Sequence, residues 1–441
     1  MTSRRGGLWV LALLCFNLPA EDLSLDNAVE MAIRHNGSIA NAQLEVRKAG
    51  DRIAQLRTRL LPSLNFYGFG SQQLRAVDFT FDRGVLGVYP GIGPVPAEDT
   101  RVRTPLKPTA FLFGRVVQPL SPIYRIKLNL KTLDTSARIA EEQLREQRQD
   151  VIRNVKRLYY GIQQMESALR AAEETTKLYR ELDRLVGDYV SQQVALKSEH
   201  LQVQSRLAKI EETTLTLRNG QASLKEQLNQ ILGRDVLTDF SIKAMPEASE
   251  FEMDAEAARR KALENRSELR QAKLRVEQAR QDVRAKRAEY IPDIAAEFNS
   301  ITLVNFNRFL PVQVNSAGLS VTWEVFDWGR KRAEMSEKRH VAQQAKNAER
   351  DAESLIIIDV NDKLRRLQQA RAHLRTTRLA RETALESLRV VKNRFQVQAS
   401  LLRDVLEAQA SLEQANAEFV QATSDFWTAK AEFERATGED R

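Results

Sequence analysis

The sequence predicts a mainly α-helical protein with a small β part. It reads as long coiled-coil helical hairpins in two tandem repeats, with four strands per chain. Three observations carry this reading. The first is a heptad ladder over Asp404 to Ala436, where Val405, Leu412, Phe419, Phe426 and Phe433 recur every seven residues. Ala408, Ala415, Ala422, Ala429 and Ala436 fall between them in strict alternation. A repeat near ~3.5 residues keeps one seam against a partner when helices supercoil left-handedly. Alanine rungs give the aromatics shallow places to pack.

The second observation is duplication. A ladder of the same spacing runs 205 residues earlier, through Val203, Leu207, Ile210, Thr214, Leu217, Gln221, Leu224, Leu228 and Ile231, apolar at all but Thr214 and Gln221. The two ladders end alike, in Gly233-Arg234-Asp235 and Gly438-Glu439-Asp440. A shift of 230 residues also lays Ala28, Ala32, Ala42, Val46 and Pro62 on Ala258, Ala262, Ala272, Val276 and Pro292. The third is composition: 18 Gly, 12 Pro and 29% charged residues in 441 mark a helix-rich chain.

Taken in order, residues 1–20 have the layout of an export signal, with Arg4-Arg5, an apolar run Leu8 to Phe16 and a small residue at Ala20. The only cysteine, Cys15, lies inside that run, so the mature chain is expected to have no disulfide. Residues 21–235 form the first repeat, 236–253 a linker and 254–441 the second repeat. From Leu25 to Leu61 the apolar spacing is helical, broken at His35-Asn36-Gly37, with Ser38 as the expected new cap. Past Pro62 and Pro292 the period changes to that of strands. Ser63–Ser71 and Pro108–Pro119 bracket a Gly- and Pro-bearing loop at about 74–107; Asp293–Asn305 and Ser316–Phe326 bracket a shorter one. Ser121-Pro122 and Asp327 then read as caps of two very long helices. Leu355 to Val360 reads as a buried part of the second.

Four strands cannot close a barrel, and open strand edges cannot face lipid. Two readings stand at this point: several chains pool their strands, or a small soluble sheet caps the coiled coil. The net charge of +8 is spread along the helices, with no basic patch, so nucleic acid is a poor candidate partner. His35, His200, His340 and His373 are scattered and read as surface residues. No catalytic constellation, metal site or cofactor motif is present. Gly84 to Gly93 reads as turns of the loop. A periplasmic coiled-coil adaptor is the alternative class, and the doubling of the whole unit argues against it.

The pattern resembles the TolC-type outer-membrane efflux proteins over essentially the whole mature chain. Its carriers are Leu25-Asp26-Asn27-Ala28-Val29, the paired Leu61-Pro62-Ser63-Leu64 and Ile291-Pro292-Asp293-Ile294 turns, and Gln118-Pro119-Leu120. Val325 to Arg330, and Arg394-Phe395 followed by Leu401 to Leu412, complete the set. The resemblance implies a homotrimer whose strands form a 12-stranded barrel in outer-membrane lipid. Its helices would continue into the periplasm and meet an adaptor and an inner-membrane pump, as a passive exit duct. It further implies that Asp404, Glu407 and Glu199 ring the periplasmic constriction of the pore. Pro62, Pro119, Pro292, Asp327 and Gly329 would make the strand–helix turns. The glycine usual at the family's helical tip is missing after both Tyr189 and Phe395. For the acids, a plain alternative is that carboxylates in a first helical turn complement the helix dipole.

Overall fold

A computed structural model of the chain describes residues 21–103, 106–243, 254–305, 311–397 and 399–439. The expected export signal and linker residues 244–253 lie outside the described residues. β1 (Glu21–Leu23) leads into α1 (Leu25–His35), whose cap is the Ser24 hydroxyl, 3.2 Å from the Asn27 amide that donates to it. α2 (Gly37–Thr58) follows a one-residue joint. Ser38 does not cap it. The Asn36 side-chain oxygen accepts from the Ser38 amide at 2.9 Å, because an asparagine side chain reaches the backbone two residues on.

β2 (Ser63–Gln72) comes next. The expected loop contains β3 (Asp78–Phe81), β4 (Val88–Tyr89), β5 (Gly93–Pro94) and β6 (Thr100–Arg103), paired as ribbons β3–β6 and β4–β5. β7 (Pro108–Pro119), α3 (Pro122–Ser191) and α4 (Lys197–Leu232) complete the first repeat, and β8 (Phe240–Ile242) lies in the linker. The second repeat is α5 (Ala255–Asn265), α6 (Ser267–Ala288), β9 (Asp293–Val304), β10 (Gln313–Thr322), α7 (Arg330–Gln396) and α8 (Leu402–Ala436). The last strand ends before Trp323, four residues short of expectation.

The chain divides into two compact units that cut across the repeats. One holds Arg47–Arg138 and Leu274–Lys346. Its sheet is antiparallel, in the order β10–β9–β7–β2, so the central β7–β9 pair joins the two repeats. Ser121 was expected to cap α3. Instead its hydroxyl donates to the Pro292 carbonyl and accepts from the Ile294 amide at 2.8 Å, pinning one repeat's turn to the other's. Proline at the first helical position leaves α3 with one fewer free N–H to satisfy.

The other unit holds the chain up to Val46, Ile139–Lys273 and Asn347–Arg441. Its core gathers Tyr159, Leu228, Leu232, Phe240, Phe426 and Phe433 among others. β1 pairs in parallel with β8, and the Tyr159 hydroxyl lies 3.0 and 2.8 Å from the Leu23 and Lys243 carbonyl oxygens.

Two matching knots fix the helix ends. Gly233 caps α4 with φ +70°, and a β-carbon there would stand 2.4 Å from the His35 carbonyl oxygen. Gly438 follows α8 with φ +77°, where a β-carbon would meet Asn265 at 2.9 Å. The Asn36 amide donates to the Ile231 carbonyl at 2.9 Å; at the equivalent place Arg266 Nη1 donates to the Ala436 carbonyl at 3.4 Å. Arg266 is buried, and a buried charge needs partners. Glu268 binds it through two oxygens at 2.7 and 3.0 Å, and Asp359 at 2.6 Å. Burial would raise the Glu268 carboxyl, but the hydrogen bonds and charge of Arg266, with Arg435 beside it, outweigh that and hold its pKa below the ordinary value.

Two outcomes follow. Gly233→Ala should cost roughly 1–3 kcal/mol through backbone strain, before any clash, and lower the thermal midpoint. An unchanged midpoint would show that the knot yields freely. For Glu268, a depressed folded-state pKa means stability that is present above the unfolded value and lost as pH falls through the folded one. Wild type should therefore melt above Glu268→Gln at neutral pH, and the gap should close below about pH 4. A gap that widens on acidification would reverse the assignment.

Candidate functional site

The heptad seam is the structural half of the candidate site. Val405, Leu412, Ala415, Ala422, Phe426 and Phe433 are buried, while Ala408, Phe419 and Ala429 are half-buried. None of the nine is exposed. α8 is buried from two sides: α3 supplies Tyr160 against Trp427, ring centres 5.8 Å apart, and α7 supplies Leu364, Leu367 and Leu374 to the same core. The matching seam of α4 is only half-buried except at Val203 and Leu228. The seam thus packs within one chain.

At the start of α8, the Asp404 carboxylate accepts from the Leu401 amide at 3.0 Å. Glu199 does the same for the Leu196 amide at 2.9 Å at the start of α4. Each satisfies one of the amides a helix start leaves open, and each puts negative charge at the positive end of the dipole. Glu407 is exposed one turn on, 3.7 Å from Arg403 Nε. No bond joins Asp404, Glu407 and Glu199 to one another in the single chain. The two helix starts are neighbours, since Val203 and Leu402 share a small core with Tyr179, Leu182 and Val186. At the α3–α4 turn the missing glycine is replaced by Gln193, which itself takes a left-handed φ of +58°.

Among the turn residues, Pro62 and Pro292 stand directly before β2 and β9, after α2 and α6 have ended at Thr58 and Ala288. Pro119 closes β7, and Gln118 Nε2 reaches back to the Leu60 carbonyl at 3.1 Å. Asp327 behaves as the expected cap: its two oxygens accept from Gly329 N at 3.1 Å and Lys331 N at 2.9 Å. Those backbone bonds, Lys331 first, lower its pKa. Trp328 and Gly329 both have positive φ, which turns the Trp328 ring outward to 89% exposure, edge-on to Phe326 at 4.8 Å. Leu64, Phe66, Phe69, Leu319 and Val321 on the sheet are likewise exposed.

Three features went unread in the sequence. His200 is not a lone surface residue: its Nε2 lies 2.9 Å from Asp183, in space left by Gly187. Gln409 is a buried polar residue beside the ladder. Of the apolar run in α7, Ile356 and Val360 are buried, but Leu355 and Ile358 are 65% and 61% exposed. Among the described residues no group of three or more His, Cys, Asp or Glu is arranged to hold a metal, and no helix is long and apolar enough to cross a membrane.

Residues 258–439 match the sequence model of a family described as outer membrane efflux protein. Comparison with curated protein sequences finds no match. Among solved structures, a membrane protein from Pseudomonas aeruginosa is similar with a TM-score of 0.78 at 17% identity, over 95% of this chain and 91% of that one. The outer membrane protein VceC from Vibrio cholerae gives 0.75 at 16% identity, over 94% and 96%. The Campylobacter jejuni CmeC outer membrane channel gives 0.77 at 14% identity, over 94% and 85%. The resemblance to TolC-type channels therefore holds for the fold of the chain and for the sequence of its second repeat.

Because the seam packs inside one chain, Phe426→Asp should cost on the order of 3–5 kcal/mol and unfold the helical unit. Ala417→Gln, on the exposed side of the same helix, should leave the melting curve within about 0.5 kcal/mol of wild type. Equal effects in circular-dichroism melts would misplace the seam.

Proposed function

With the second repeat carrying the signature of the outer membrane efflux proteins and the chain their channel fold, we propose that it is one subunit of a homotrimeric exit duct. The location that goes with this family is the outer membrane, with the helices on the periplasmic side. In this reading the duct is passive, and a periplasmic adaptor and an inner-membrane transporter supply selection and energy. Solved structures of this fold include outer membrane channels, and this reading makes the chain a channel subunit rather than an enzyme.

The observation that carries the proposal is the sheet. Among the described residues, the four antiparallel strands leave the outer edges of β2 and β10 unpaired, while their apolar side chains stand exposed. In water such edges recruit other strands, and in lipid every backbone group must be paired. Three copies joined edge to edge close both edges at once. The exposed Leu355 and Ile358 on α7 suit a contact between subunits in the helical part. Asp404 and Glu407, with Glu199, are assigned to the pore wall; three copies would bring their carboxylates together, where they would attract cations.

Two measurements test this. Protein extracted from membranes should require detergent and have the mass of three chains by light scattering; a soluble monomer in the periplasm would overturn the duct. In planar bilayers, Asp404→Asn with Glu407→Gln should reduce cation preference while leaving the trimer intact. Unchanged selectivity, with slightly lower stability of roughly 0.3–1 kcal/mol from the lost cap charge, would leave the acids as helix caps only.

A further inference from the structure

A cleft of about 660 Å³ runs along α8 between α3 and α7, within the ~300–1,000 Å³ that suits a small molecule. Its charge is gathered at one level. The register of α8 against α3 is fixed by side-chain bonds from Gln164 to Gln421 and from Gln409 to Thr175. Against α7 it is fixed by Arg381 Nε donating to Asn416 at 3.0 Å. On these registers Arg170 of α3 and Arg378 and Arg381 of α7 all stand beside the Asn416–Phe419 turn. Arg381 also lies 4.9 Å from the Phe419 ring centre, and Arg170 donates to the Ser167 hydroxyl at 3.2 Å. Arg378 has no ion pair or hydrogen bond among the described residues. The acidic lining residue, Glu174, is already held by Lys177 at 2.8 Å. The middle of the cleft is therefore cationic.

Two turns toward the start of α8, ~10 Å from Asn416 at ~1.5 Å per residue, Gln409 also lines the cleft and is 2% exposed. Its Nε2 donates to Thr175 at 3.4 Å and Glu413 at 3.2 Å, but its carbonyl oxygen has no partner among the described residues. A buried acceptor without a donor is a standing cost that an incoming N–H or O–H would remove. Leu385, Leu388 and Leu412 line the cleft at this same end.

We infer that the cleft binds an amphipathic anion. Its carboxylate or sulfonate sits among the three arginines, its apolar body lies along Leu385, Leu388 and Leu412, and a hydroxyl or amide hydrogen meets the Gln409 carbonyl. The ordering follows from the geometry: an anion alone would leave Gln409 unsatisfied, and a cation would face three guanidiniums. The inference stands on this cleft and not on the trimer, so its failure would leave the duct reading untouched.

The test uses the full chain purified in a neutral maltoside detergent, dialysed against 10-hydroxydecanoate, decanoate or decyltrimethylammonium, with empty micelles as the blank. The hydroxy acid should bind saturably, one per chain, about tenfold tighter than decanoate and tighter still than the cation. Arg378→Gln with Arg381→Gln, both exposed positions, should weaken the two acids about tenfold. Gln409→Met should leave decanoate unchanged and abolish the preference for the hydroxyl. Binding no greater than the micelle blank, a preference for the cation, or a hydroxyl preference that survives Gln409→Met would each overturn the inference. If Gln409→Met fails to fold, the arginine pair and the three-ligand ranking on the wild-type chain still decide it.

Discussion

Where α4 ends, the Gly233 backbone lies so near the His35 carbonyl that no side chain fits between them, and the same approach recurs at Gly438 and Asn265. A left-handed residue closes the helix, and its own end carbonyls need donors from outside. Asn36 and Arg266 supply them, each from the joint between two short helices. The two joints fill one role with different chemistry. Asparagine is neutral and needs little else. Arginine brings a charge into a buried place, and Glu268, Asp359, Arg435 and Asp150 are drawn in around it. The direction of both hairpins, and so the seam of α8, depends on these two close approaches.

Fold class and most element boundaries were legible because they rest on local rules. The ladder needs only period, and proline and glycine positions bound the helices. Strand β7 begins and ends at the prolines that bracket it in the sequence. What escaped notice depends on partners distant in the chain. Nothing near Ser121 says that its hydroxyl will serve Pro292 and Ile294 in place of its own helix. Nothing around His200 announces Asp183 across the hairpin. The loop ribbons were missed because strands of two to four residues fall below the length at which alternation can be counted.

The candidate site divides in the same way. Period alone places the seam residues on one stripe of α8, and local hydrogen bonds put Asp327, Asp404 and Glu199 at helix starts. A pore-facing role for Asp404 and Glu407 is part of the proposed assembly, and one chain's sequence points to it only through resemblance. Gln409 shows a different limit. In a ladder it looks like a flank residue, since its burial comes from α8 being covered by two helices at once. α4 is covered less completely, and its matching seam is only half-buried except at Val203 and Leu228. Periodicity gives the position of a residue on its own helix, but not how many neighbours that helix has.

The parallel pair of β1 and β8 has a consequence for how the molecule is assembled. Glu21 pairs with Phe240, so the two strands are separated by the whole first repeat. Closing so long a loop is slow compared with zipping a helical hairpin. A chain delivered from its amino end would present β1 long before its partner emerged. The hairpin of α3 and α4 can form in that interval, carrying Tyr159, whose hydroxyl meets the Leu23 carbonyl of β1 and the Lys243 carbonyl just past β8. β1 can pair with β8 only once the residues between them are in place. α8, which needs α3 and α7 on either side, comes last. α8 is also the last helix in the sequence, so its aromatic seam follows both of the helices that cover it.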